Sequence, residues 1–175
     1  MFRFASLVAG VVLAVLVGAL SVPATADSVL VHDSDPHHVA AFLAIDSARF
    51  TNGPGRLSVV AVHPGLVRRR IDEIRLEILV GRALAPRDRT VFVVIWRHSG
   101  TFLQRTRPGE SFLSSVRCAG LHSVVAPRLH VVRLSVPRSC LVRSGSVRMG
   151  YSIENLGLGA SDEAPATLTW WLRRG

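Results

Sequence analysis

Five side chains able to ligate a cation fall within the seven residues His32-Asp33-Ser34-Asp35-Pro36-His37-His38. Asp33 and Asp35, one residue apart, present oxygens as calcium favours, and His37 and His38 supply imidazoles suited to zinc or copper. The segment has no glycine at a sharp turn and no bidentate glutamate downstream, so it is not an EF-hand loop. The chain also lacks the His-Glu-x-x-His arrangement of a zinc hydrolase. The plainer expectation is a solvated entry segment in which Asp and Pro form a turn. Asp46 is a further candidate, because it shares parity with Phe42 and Phe50 in an alternating run. If that face is buried, its carboxylate needs a partner or a metal. If the two aromatics flank an exposed face, it needs neither. The metal set to be tested is therefore Asp33, Asp35, His37, His38 and Asp46. Nothing here demands a cofactor, and calcium is the first ion such a set would suit.

Arg68-Arg69-Arg70 is the one charge run. Adjacent guanidiniums can grip phosphate or carboxylate polymers through bidentate contacts, whereas the simpler expectation is a solvated loop between two strands. Arg87, Arg89, Arg105 and Arg107 would widen the patch only if the fold gathers them. For nucleophilic catalysis a serine needs a base and an orienting acid, and no Gly-x-Ser-x-Gly elbow occurs. Asp162-Glu163 is a carboxylate pair, but neighbours in a strand point to opposite faces and cannot share a substrate; a loop is expected there. Trp96, Trp170 and Trp171 would stack on sugar rings if exposed, though in strands such residues more often fill the core.

The elements that must position these groups have a period of two. Alternating or β-branched runs at 42–50, 57–62, 74–78, 90–96, 112–118, 129–136, 147–153 and 167–172 predict about eight strands. Residues 90–96 read Thr-Val-Phe-Val-Val-Ile-Trp, a central strand. Turn signals separate the runs: Asn52-Gly53-Pro54-Gly55, Arg107-Pro108-Gly109, Ser144-Gly145 and the stretch 157–160. Short strands without a convincing long helix predict an all-β, antiparallel β-sandwich, Ig-like or jelly-roll-like.

Residues 1–26 carry one charge, Arg3, then an apolar stretch at 5–20 and the ending Ala24-Thr25-Ala26. That order reads as a secretory signal peptide cleaved near Ala26. A retained membrane anchor is the alternative, but sixteen apolar residues fall short of the about 20 that a spanning helix needs. Cleavage leaves a single domain at 27–175 with no stable transmembrane segment, secreted and extracellular. All 21 basic residues are arginine, and the net charge is +9, or +8 without Arg3. Such a charge draws a protein weakly toward anionic surfaces. Outside a cell those partners are anionic cell-envelope polymers or lipid headgroups, and no nucleic acid is expected. The two cysteines, Cys118 and Cys140, read as one disulfide in an oxidising compartment.

The segment Val136-Pro137-Arg138-Ser139-Cys140-Leu141, followed by Val147-Arg148, resembles a family of small secreted actinobacterial β-sandwich proteins with one Cys pair. In that family Pro-Arg-Ser-Cys-Leu ends a strand, and its cysteine pairs with an earlier one, matched here by Cys118. An upstream acidic pattern followed by Asp-Ile is matched by Asp33, Asp35 and Ile45-Asp46 in altered order. His37-His38 stand where the family often has Gly-Asp. The resemblance implies a fold and an address, and no reaction. The expectation is thus an exported, non-catalytic protein, an extracellular or envelope-associated binding module attracted to anionic polymers. The alternatives are a metal-binding module using the 32–38 segment and a secreted hydrolase with a loop-built site.

Overall fold

A computed structural model describes residues 26–32, 39–81, 90–106, 110, 113–141 and 146–174. Residues 1–25 of the expected 1–26 leader and the metal candidates Asp33, Asp35, His37 and His38 lie outside them, as do Arg87, Arg89 and Arg107. Among the described residues twelve strands run in chain order: β1 (Asp27–His32), β2 (Ser47–Asn52), β3 (Arg56–Val62), β4 (Glu73–Val80), β5 (Thr90–Arg97) and β6 (Gly100–Thr106), then β7 (Ser114–Val116), β8 (His122–Ala126), β9 (Val131–Pro137), β10 (Ser146–Asn155), β11 (Ala160–Ala164) and β12 (Leu172–Arg173). They form two antiparallel sheets, one ordered β1-β2-β3-β9-β8 and the other β11-β10-β4-β5-β6-β7, with β12 also on β10.

The sheets pack face to face, as the period-two pattern requires. Leu57, Val59 and Ala61 of β3 and Val132, Leu134 and Val136 of β9 are buried on one side. Opposite them lie Ile74, Leu76 and Ile78 of β4, Phe92, Val94 and Trp96 of β5, and Met149, Tyr151 and Ile153 of β10. β5 is central, flanked by β4 and β6.

Several expected boundaries shift. The 42–50 run is not one strand: Phe42 and Leu43 are buried from a turn at 41–43, and β2 begins at Ser47. That turn rests on the His63-Pro64-Gly65 turn so closely that a Cβ at Gly65 would stand 2.1 Å from the Ala41 carbonyl oxygen. Of the 167–172 run, only Leu172 becomes strand. The residues before it leave the edge of the sheet as a strap described below. Asp162 and Glu163 lie in β11 rather than in a loop.

Cys118 and Cys140 form a disulfide with Cα atoms 5.5 Å apart. It ties the crossover from β7 in one sheet to β8 in the other onto the 3₁₀ turn Arg138–Cys140 that follows β9. Arg56 secures the same crossover, donating to the Gly120 carbonyl at 2.7 Å and to Ser135 Oγ at 2.8 Å.

Candidate functional site

The charge run forms a 3₁₀ turn, Arg68–Arg70, leading into β4. Its guanidiniums are exposed, and two are seated on aromatic rings: Arg68 over Trp96 at 5.6 Å and Arg70 over Phe42 at 5.4 Å. Each stacking partner stands more than 20 positions away in sequence and reaches the turn only through the fold. His98 meets the same Trp96 ring edge-on, 5.2 Å between centroids. The backbone is clamped from the other side. Asn155 Nδ2 donates to the Arg70 carbonyl, the Asp72 N–H donates to Glu154 O at 3.0 Å, and Asp72 Oδ2 accepts from Leu156 N at 2.8 Å. Among the described residues no carboxylate pairs with Arg68, Arg69 or Arg70. A guanidinium stacked on a ring keeps its in-plane N–H donors and has already given up much of its rotamer freedom. The turn is therefore a ridge of three exposed cations, two of them held over rings. Arg105, half-buried in β6, is not part of it in sequence or in these contacts.

Asp46 is exposed at the bend before β2, where its N–H donates to Val62 O at 2.8 Å. The condition that would have forced a partner on its carboxylate, a buried face, is not met. Among the described residues no group of three or more His, Cys, Asp or Glu could hold a metal ion. Asp162 turns inward and accepts from Ile45 N at 2.8 Å, whereas Glu163 points outward, so the two carboxylates are divided as strand geometry dictates. Of the tryptophans, Trp96 is core, Trp171 half-buried and Trp170 86% exposed.

Two polar arrangements escaped sequence reasoning. The first is internal. His63 is fully buried, its Nδ1 3.2 Å from the carbonyls of Leu43 and Ala44 and its Nε2 2.8 Å from Tyr151 Oη. Carbonyls only accept, so Nδ1 carries the proton and Nε2 accepts from the tyrosine. Burial lowers the His63 pKa to about 4, against the opposing pull of the two carbonyls, and burial pushes the Tyr151 hydroxyl well up, aided by Asp162.

The second lies on the outer face of the larger sheet, as a groove of about 470 Å³. At one end Glu73, with no exposed surface, accepts from Arg75 and Arg97, and Arg75 reaches Glu154 at 3.2 Å. In the middle the β10 face is reduced to Gly150 and Ser152, flanked by Glu77 of β4 and Glu163 of β11. The 165–169 strap closes one side. Thr169 bonds Met149 through N–H to O at 2.8 Å and Oγ1 to N at 2.9 Å, while Arg148 donates to Thr169 O at 2.7 Å and Leu168 O at 3.0 Å. Leu168 then lies over Gly150, where a Cβ would come within 2.9 Å of its Cδ2. Residues drawn from β4, β5, β10, β11 and a strap leave no linear motif. The one available signal was a glycine inside a strand pattern, which marks close approach of another chain segment.

No known family model matches this chain, and no curated protein matches it in sequence.

Proposed function

We propose that the protein is an exported, non-catalytic binding module that attaches to anionic polymers of the cell envelope through the Arg68–Arg70 ridge. The observation that carries this reading is the stacking of Arg68 on Trp96 and Arg70 on Phe42, which holds exposed guanidiniums in place without neutralising them. Elsewhere arginine donors are taken up within the fold, by Glu73 at Arg75 and Arg97 and by carbonyls at Arg148. The net charge of +9 adds long-range attraction to the same partners. Export rests on the leader pattern at 1–26, and a disulfide is in keeping with it. Among the described residues no helix is long and apolar enough to cross a membrane. Kinship with the small secreted actinobacterial sandwich proteins belongs to the same proposal and rests on the 136–141 segment.

Titration with long-chain polyphosphate, a defined polyanion, tests the ridge directly. The triple substitution of Arg68, Arg69 and Arg70 to Ser should weaken binding at least about tenfold, a loss of about 1.4 kcal/mol. Replacement of all three by Lys keeps the charge and should recover only part of it, because ammonium lacks the bidentate fork. Unchanged affinity in the Ser variant, with its fold verified by thermal unfolding, would refute the assignment.

A further inference from the structure

We infer that the groove on the outer face of the larger sheet is a second binding site, which takes a small organic amine with an apolar body. Its volume of about 470 Å³ falls within the range of small-molecule sites, about 300–1,000 Å³. Val93 and Ile95 of β5 lie beneath the groove on this outer face but are almost covered, only 8% and 5% exposed, so the apolar surface it offers comes from its walls. Leu168 on the strap and Leu113 opposite supply apolar walls.

The charge pattern chooses the ligand. Both arginines of the groove are already committed, Arg75 to Glu73 and Glu154, and Arg97 to Glu73. Glu77 and Glu163 have no ion-pair partner among the described residues. They converge from opposite sides over Gly150 and Ser152, because Glu77 is in register with Gly150 and Glu163 with Ser152. Side chains of that size at those two β10 positions would fill the space between them. Burial, and then the neighbouring Glu163, raise the Glu77 carboxyl pKa against the opposing pull of Arg75, so a cation placed between the two carboxylates relieves an unfavourable arrangement. The groove is thus an acidic recess with apolar walls in a strongly basic protein, and it shares no lining residue with the arginine ridge.

Backbone amide NMR of the disulfide-bonded protein, titrated with 2-phenylethylamine and with its neutral counterpart 2-phenylethanol, tests the site. The amine should saturate shifts at Glu77, Gly150, Ser152 and Glu163 and bind at least about tenfold tighter than the alcohol. Glu77→Gln combined with Glu163→Gln should bring the amine down to the level of the alcohol. Glu163→Gln alone, at an exposed position, should weaken the amine at least about threefold without altering the fold. The Arg68, Arg69, Arg70 to Ser variant should bind the amine at least as tightly as the parent does. Equal binding of amine and alcohol, absence of saturation, or insensitivity to Glu163→Gln would each overturn the inference.

Discussion

At His63 an imidazole is taken out of water between two carbonyls and a tyrosine hydroxyl, and burial lowers its pKa from 6.5 to about 4. The unfolded chain therefore binds a proton between those two values while the folded chain does not. Stability is fully present above pH 6.5 and falls as pH drops toward about 4, by up to about 3 kcal/mol at 1.36 kcal/mol per pKa unit. Urea unfolding across this interval should show that slope, and His63→Gln should flatten it; identical slopes would contradict the account. Tyr151→Phe leaves the imidazole acceptor without a donor and should cost about 1–3 kcal/mol at neutral pH. None of this is legible in sequence, where His63 precedes Pro64-Gly65 and reads as a turn residue. The arginine ridge was legible as a charge run. Its rings were not, because Phe42 and Trp96 approach it only after the two sheets have closed.

Among the elements, β3 and β9 were legible because their buried residues alternate strictly along the chain, and β4, β5 and β10 because long apolar or alternating runs mark strands buried on both faces for part of their length. Four strands were missed for a shared reason: pairing with a neighbour makes them, rather than their own composition. β11 reads Ala-Ser-Asp-Glu-Ala and exists as a partner of β10. β6 contributes one fully interior apolar residue, Leu103, while β1 and β8 are edge strands of the smaller sheet. The 42–50 run misled because a turn can bury Phe42 and Leu43 as well as a strand can. That turn gives a sharp prediction. Gly65→Ala would drive a Cβ against the Ala41 backbone and should destabilise by about 1–3 kcal/mol or more. Gly55→Ala, which meets nothing within 4 Å, should stay within about 0.5 kcal/mol of the parent. Thermal unfolding of the pair measures the difference, and equal stabilities would contradict the packing of the two turns.

For the whole molecule, the Cys118–Cys140 bridge joins residues 22 positions apart at the point where the chain passes from one sheet to the other. Replacing both cysteines by Ser should lower stability by about 3 kcal/mol on the chain-entropy account, read as a shift in the denaturation midpoint. The charge distribution is equally a property of the whole: every basic side chain but histidine is arginine, the exposed ridge lies in the connection from β3 of one sheet to β4 of the other, and the acidic groove lies on one outer face. Central to the account is the proposal that this ridge attaches the protein to anionic envelope polymers. Co-sedimentation with purified cell envelope at low and high salt tests it most directly, since the Debye length shrinks from about 30 Å at 0.01 M to about 3 Å at 1 M. The account predicts retention at low salt, release at high salt, and loss of retention when Arg68, Arg69 and Arg70 are all Ser. Absence of binding at low salt, or retention indifferent to the three substitutions, would contradict it.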